Sequence, residues 1–109
     1  MSAVLLVENE QPRQRLLAWV LEEEGFEVAV ADPGGCIDRA SPGAVVVLNA
    51  AMPAPERRTL VERLHAREAR VLELLGDEGE DGATSADAYV AEPYRAAEIV
   101  SAIERLRGV

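Results

Sequence analysis

Three polar side chains stand directly after two strongly apolar runs in this 109-residue sequence. Glu8 and Asn9 follow the run 4–7, and Asn49 follows the run 44–48. An apolar run of this kind is typical of a buried strand in a parallel sheet, and such sheets place their chemistry at the carboxyl ends of the strands. Carboxylate and amide oxygens gathered at one edge can coordinate a hard divalent cation such as Mg²⁺. An asparagine amide is not a nucleophile, so the pattern argues against covalent chemistry at position 49.

A second acid, Glu92, follows the run 87–91 and is expected at the same edge. One hypothesis is a residual metal site built from Glu8, Asn9, Asn49 and Glu92. Two amides would then replace charged ligands, which weakens the attraction for a hard cation. We therefore favour the other hypothesis, in which the two glutamates hydrogen-bond the two asparagines. If the carboxylates lie close together and unpaired, the pKa of one of them should be raised.

Five strand patterns alternate with helix patterns, and this alternation predicts a single α/β domain with a parallel sheet covered on both faces. The predicted strands are 4–7, 26–31, 44–49, 70–75 and 87–91. The predicted helices are 10–24, 36–40, 55–67 and 96–106. The second helix has room for two turns at most. Residues 76–85 contain three glycines and four acids, so a fourth helix in the usual place should be reduced or absent.

Charge and composition limit the classes of partner. The net charge of −9 repels a phosphate backbone, so direct nucleic-acid binding is not expected. No apolar stretch approaches the roughly 20 residues that a membrane span needs, and the start of the chain does not resemble a signal peptide. Cys36 is the only cysteine, which fits a reducing compartment. We expect a cytoplasmic protein with one domain over residues 1–109.

Four segments resemble the bacterial response-regulator receiver domain, the CheY-like family. They are the strand ending in Glu8-Asn9-Glu10, the helix-to-strand passage 22–28, the strand and loop 46–53 with Met52-Pro53, and the stretch 87–94 with Glu92-Pro93-Tyr94. The resemblance implies a flavodoxin-like five-stranded sheet in the order 2-1-3-4-5. It also implies a phosphorylation site in which acids hold Mg²⁺ and an aspartate accepts the phosphoryl group.

Matched residue by residue, the chain departs from that site. The two acidic positions hold Glu8 and Asn9, and the phosphoacceptor position holds Asn49. The hydroxyl position holds Leu75 and the lysine position holds Glu92, which reverses the charge. The resemblance thus implies a vestigial phosphorylation site, no cofactor because the Mg²⁺ site is lost, and no enzymatic activity. The switch aromatic of the fifth strand is retained as Tyr89.

The same resemblance implies a phosphorylation-independent pseudo-receiver that acts as a protein–protein interaction module in bacterial two-component signalling or a phosphorelay. Trp19 lies nearly opposite the apolar stripe of the first helix and is a candidate partner contact. A homodimer through the final helix and fifth strand is possible, although loss of the fourth helix would reshape that face. The third helix carries four arginines, which we expect to be solvated: Arg57, Arg58, Arg63 and Arg67.

Two other functions are alternatives to the pseudo-receiver. One is a phosphoacceptor response regulator with a non-standard site or a metal-binding switch, for which Glu8 is the nearest carboxylate. The other is a flavin or small-molecule binder on the same fold. That function needs a phosphate-cradling loop after the first strand, and residues 8–11 are acidic there, which argues against it.

Overall fold

The fold is a five-stranded parallel sheet with helices on both faces. The computed structural model describes residues 3–49, 53–75, 85–91 and 94–108, and their strands are arranged in the order β2-β1-β3-β4-β5. The strands are β1 (Ala3–Val7), β2 (Glu27–Ala31), β3 (Val45–Leu48), β4 (Arg70–Leu75) and β5 (Ala88–Ala91). The helices are α1 (Gln11–Glu23), α2 (Cys36–Arg39), α3 (Ala54–Ala66) and α4 (Ala96–Arg107). The predicted fold class and strand order are confirmed.

The two faces of the sheet bury separate apolar layers because successive strand residues point to opposite sides. One layer packs beneath α1 and α4 and contains Leu21 and Ile103. The other packs beneath α2 and α3 and contains Cys36 and Leu64. The central strands β1 and β3 are buried on both faces, which explains their continuous apolar sequences.

Local sequence determines where the helices end. Gly25 follows α1 with a φ of 98°, a conformation that glycine adopts without steric cost. The amide of Gly25 donates to the Glu22 carbonyl, and the amide of Phe26 donates to the Leu21 carbonyl, which forms a Schellman motif. The helix predicted over residues 10–24 thus ends within one residue of its predicted end, and Gly25 directs the chain into β2.

The second helix is as short as predicted, with only four residues in α2. The prediction of a reduced or absent fourth helix falls on residues 76–85, which lie almost entirely outside the described residues. The side chain of Cys36 is fully buried in the apolar layer beneath α2 and α3. Burial also raises the pKa of its thiol.

Candidate functional site

The carboxyl ends of β1 and β3 bring Glu8 and Asn49 together. Val7 is paired with Leu48 in the parallel register, and the Asn49 amide donates to the Val7 carbonyl at 2.8 Å. Each strand then delivers its next residue to the same edge of the sheet. Two residues that are 41 positions apart in sequence become direct neighbours in this way.

Glu8 and Asn49 are joined by a short hydrogen bond. The Asn49 side-chain nitrogen Nδ2 donates to Glu8 Oε1 at 2.6 Å, and the Glu10 backbone amide donates to Glu8 Oε2 at 3.0 Å. The Gln14 side chain donates to the Glu8 carbonyl at 2.8 Å and fixes the turn between β1 and α1. The expected hydrogen bond between Glu8 and an asparagine is therefore confirmed, with Asn49 as the partner.

Burial dominates the electrostatics of Glu8. Its side chain is fully buried, and desolvation raises the pKa of its carboxyl above the ordinary glutamate value. The Glu10 amide and the charge of Arg13 oppose that shift by favouring the ionised form. Burial is the largest cause of the raised pKa of Glu8, and a contribution from a close Glu92 carboxylate stays a prediction because Glu92 lies outside the described residues.

Of the other predicted positions, Asn9 lies just after the end of β1, Leu75 lies at the end of β4 and Tyr89 lies within β5. Asn9 is exposed beside Glu8. Leu75 is the last residue of β4, is half-buried and pairs with Ala91 of β5. Tyr89 lies on β5 with 41% of its surface exposed. Glu92 lies outside the described residues, so its expected bond to an asparagine stays a prediction.

Trp19 projects from α1 away from the core. It is 59% exposed, and its neighbour Leu16 is 58% exposed, whereas Leu17 and Leu21 on the opposite side are buried. The predicted orientation of Trp19 is confirmed. The two side chains form an apolar patch on the outer surface of α1.

A buried ion pair between α3 and β4 was missed by the sequence analysis. Arg57 and Glu73 retain 8% and 1% side-chain exposure, and Arg57 Nε donates to Glu73 Oε2 at 2.6 Å. The prediction that all four arginines of the third helix are solvated is therefore wrong for Arg57. Two signals could have indicated the pair. Glu73 interrupts a buried strand, and a buried charge needs a partner. Arg57 precedes Val61 by one helical turn and thus shares the inward face of α3.

Glu73 lies on β4, the strand that neighbours β3 and therefore Asn49 at its end. Glu73 of β4 is in register with Leu48, the residue before Asn49. Arg57 occupies the first turn of α3, where its amide donates to the Pro53 carbonyl. The ion pair therefore fixes the start of α3 against the strand that neighbours β3.

A second contact between a helix and the start of a strand involves His65 of α3 and Asp87. His65 Nε2 lies 2.8 Å from Asp87 Oδ2, and the Val71 amide donates to the same Asp87 oxygen at 2.8 Å. His65 is partly exposed at 31% of its side chain. The contact links the end of α3 to the start of β5 and has no feature of a catalytic site.

The described residues hold few groups that could bind a metal ion. No cluster of three or more histidine, cysteine, aspartate or glutamate side chains occurs within the described ranges. Glu8 supplies a carboxylate at the sheet edge, and both of its oxygens already accept hydrogen bonds. None of the helices within the described residues has the length and apolar character of a membrane-spanning segment.

The sequence is similar to curated signalling proteins over nearly its whole length. It is 31% identical to the sensory transduction protein RegX3 of Mycobacterium tuberculosis, over an alignment of 113 positions that covers 94% of this chain. The same match covers 49% of RegX3, so the chain spans about half the length of the curated relatives it matches. No protein-family model matches the chain.

Solved structures share the fold closely at low sequence identity. FixJ-N superposes with a TM-score of 0.87 at 22% identity, over 99% of this chain and 94% of that one. The receiver domain of the sensor histidine kinase PA1611 from Pseudomonas aeruginosa, crystallised with magnesium coordinated in its active-site cleft, gives 0.84 at 18% identity, over 99% and 98% of the two chains. The strand order and these superpositions show that the chain has the CheY-like receiver fold, and its sequence is similar to that of RegX3.

Proposed function

We propose that this receiver domain works without phosphorylation and acts as a protein–protein interaction module in bacterial signal transduction. The observation that carries the proposal is the bond from the Asn49 amide to the Glu8 carboxylate. Asn49 matches the phosphoacceptor position, and an amide nitrogen engaged in this way offers no nucleophile to a phosphodonor. The description of RegX3 as a sensory transduction protein supports the place in signalling.

The metal that supports phosphoryl transfer in the family also has little to hold it here. Receiver sites gather Mg²⁺ between acidic side chains, and Mg²⁺ demands near-octahedral oxygen ligands. Of the matched positions, Asn9 and Asn49 supply amides, and Glu8 directs both carboxylate oxygens to N–H donors. Binding a cation at Glu8 would break the 2.6 Å bond to Asn49. These residues do not fit a Mg²⁺ site, and we propose that the site is lost.

The groups that would recognise a bound phosphoryl group are replaced as well. Leu75 at the end of β4 has no hydroxyl to donate to a phosphoryl oxygen. Glu92 brings a negative charge to the position where the family uses a lysine to neutralise the transferred group. Each replacement weakens binding of the same anion, so the proposed loss of phosphorylation does not depend on Asn49 alone.

A phosphorylation assay tests this proposal. The protein is incubated with acetyl phosphate and Mg²⁺, and its intact mass is measured, with a conventional receiver domain treated in parallel as the positive control. We expect a phosphate-sized mass gain in the control and none in this protein. A mass gain in this protein would overturn the proposal and favour a phosphoacceptor at a non-standard residue.

A further inference from the structure

We infer that the outer surface of α1 is a two-fold, self-complementary interface through which two copies of this chain pair with their α1 helices antiparallel. The observations are an exposed apolar patch at the centre of the helix and an uneven distribution of charge along it. The inference concerns a different surface from the matched phosphorylation site and holds whether or not that site is active.

The apolar patch consists of Leu16 and Trp19. Both side chains are more than half exposed, although α1 buries other leucines against the sheet and α4. Tryptophan is enriched among the residues that dominate protein–protein binding, because it buries a large area at low entropic cost. Since α1 packs on β1, β2 and α4 with its other side, this outer surface is the one available to a second molecule.

The charges of α1 run against the preference of an isolated helix. Arg13 and Arg15 lie near its amino terminus, and Glu22, Glu23 and Glu24 lie at its carboxyl terminus. The first turn holds no acid and the last turn holds no base. The helix dipole favours the opposite arrangement, so this distribution does not stabilise the single helix. A sequence that breaks a local rule at an exposed surface indicates a constraint other than folding.

A second copy of the chain would account for this distribution of charge along α1. Arg15 and Glu22 are seven residues apart, about two helical turns, and so lie on the same side of α1. A two-fold axis midway between them passes beside Trp19 and places Arg15 of each copy opposite Glu22 of the other. Within the described residues, neither Arg15 nor Glu22 has an ion-pair partner in its own chain. The antiparallel arrangement also aligns the two helix dipoles favourably.

The interface is expected to be weak. It offers two large apolar side chains per copy, which places it at the small end of protein–protein interfaces. Each copy also carries a net charge of −9, so the two molecules repel each other except where opposite charges meet locally. A rapidly exchanging dimer at high protein concentration is the expected form.

Sedimentation velocity over a concentration series of the 109-residue chain tests the inference. We expect concentration-dependent dimerisation that Trp19→Ala weakens about thirtyfold, the effect of removing a dominant interface residue. Arg63→Glu is the matched charge control because it lies on α3, on the opposite face of the sheet, and should leave dimerisation unchanged. A wild-type chain that stays monomeric, or a dimer that tolerates Trp19→Ala, would overturn the inference.

Charge-reversal variants of Arg15 and Glu22 distinguish this pairing of two copies from the binding of a different protein to the apolar patch. Arg15→Glu and Glu22→Arg should each abolish self-association, because like charges then meet on both sides of the axis. Mixing the two single variants should restore a dimer that contains one copy of each, and the double variant Arg15→Glu/Glu22→Arg should dimerise alone. Failure of the mixture to associate would contradict the two-fold pairing. Unchanged circular dichroism spectra check that every variant is folded.

Discussion

At the scale of single residues, the exchange of a carboxylate for an amide changes what the sheet edge can do. An aspartate at position 49 would face Glu8 as a second negative charge, and a cation would be needed to hold the two together. Asn49 instead donates a hydrogen bond to Glu8 at 2.6 Å. A hydrogen bond between two of its own side chains thus joins the ends of β1 and β3 at this edge, and Glu8 remains as a buried acid.

The titration of Glu8 is the first prediction. Because burial raises its pKa, the folded protein holds the Glu8 proton to higher pH than the unfolded chain does. The free energy of unfolding therefore falls as pH rises from the ordinary glutamate value through the pKa of folded Glu8, by up to about 1.4 kcal/mol per pH unit. Carbon-detected NMR of the side-chain carboxyl should show that the pKa of Glu8 lies above the ordinary glutamate value.

Two variants check the origin of this behaviour. Glu8→Gln should remove the extra pH dependence of unfolding within that window. Asn49→Ala should raise the Glu8 pKa further, because it removes an N–H donor that favours the ionised carboxylate. A wild-type Glu8 that titrates at or below the ordinary value would show that burial does not control this group.

At the scale of elements, the contact between α3 and β4 has the most unusual chemistry. Arg57 and Glu73 are both buried, and their 2.6 Å contact joins the first turn of α3 to the strand beside β3. Removing two such charges from water is costly, and their attraction compensates only while both are present. The pair therefore holds α3 in one position relative to the sheet more than it adds stability.

A double-mutant cycle tests that balance. Arg57→Met or Glu73→Leu alone should lower the free energy of unfolding by about 3–5 kcal/mol, because each leaves a buried charge without its ion-pair partner. The double variant should recover most of that loss, since two apolar side chains can pack in the same space. Urea unfolding measures all three, with the exposed Arg63→Met as a control expected within about 0.5 kcal/mol of wild type. Additive losses in the double variant would mean that the two charges do not interact strongly.

The sequence predicted the elements well because their signals are local. The apolar run 44–48 and the glycine after α1 act on their own neighbours, so the strand and the helix end could be predicted from them. The strand order is not a local property, and it was predicted from the resemblance to the receiver family. The burial of Arg57 and of Glu73 had signals in the sequence, but their pairing was harder to predict because they are 16 residues apart on different elements. The same holds for His65 and Asp87, whose contact depends on how α3 and β5 are placed across the sheet.

At the scale of the whole molecule, the proposed function implies a receiver fold that keeps one conformation. A conventional receiver shifts between two conformations when a phosphoryl group binds at the sheet edge, and a ligand can shift an equilibrium only if it binds one state better. In the proposed function, Asn49, Leu75 and Glu92 stand in place of the residues that would bind the phosphoryl group. We expect one conformation with or without a phosphodonor.

Amide NMR spectra test this expectation for the whole chain. Addition of Mg²⁺ and beryllofluoride, which mimics a phosphoryl group on an aspartate, should leave the amide signals of this protein unchanged. A conventional receiver under the same conditions serves as the control and should show widespread shifts. Shifts in this protein along β4, β5 and α4 would contradict a single fixed state.

Restoring the acceptor residue alone tests most directly whether phosphorylation was lost at several positions together. Asn49→Asp is incubated with acetyl phosphate and Mg²⁺, and phosphate incorporation is measured by intact mass beside the wild type and a conventional receiver. The new carboxylate would lie beside buried Glu8, with Asn9 in place of an acid and Glu92 in place of a lysine. We predict no phosphate-sized mass gain in this variant. Robust labelling of Asn49→Asp would contradict the account, because it would mean that a single side chain separates this protein from a working phosphoacceptor.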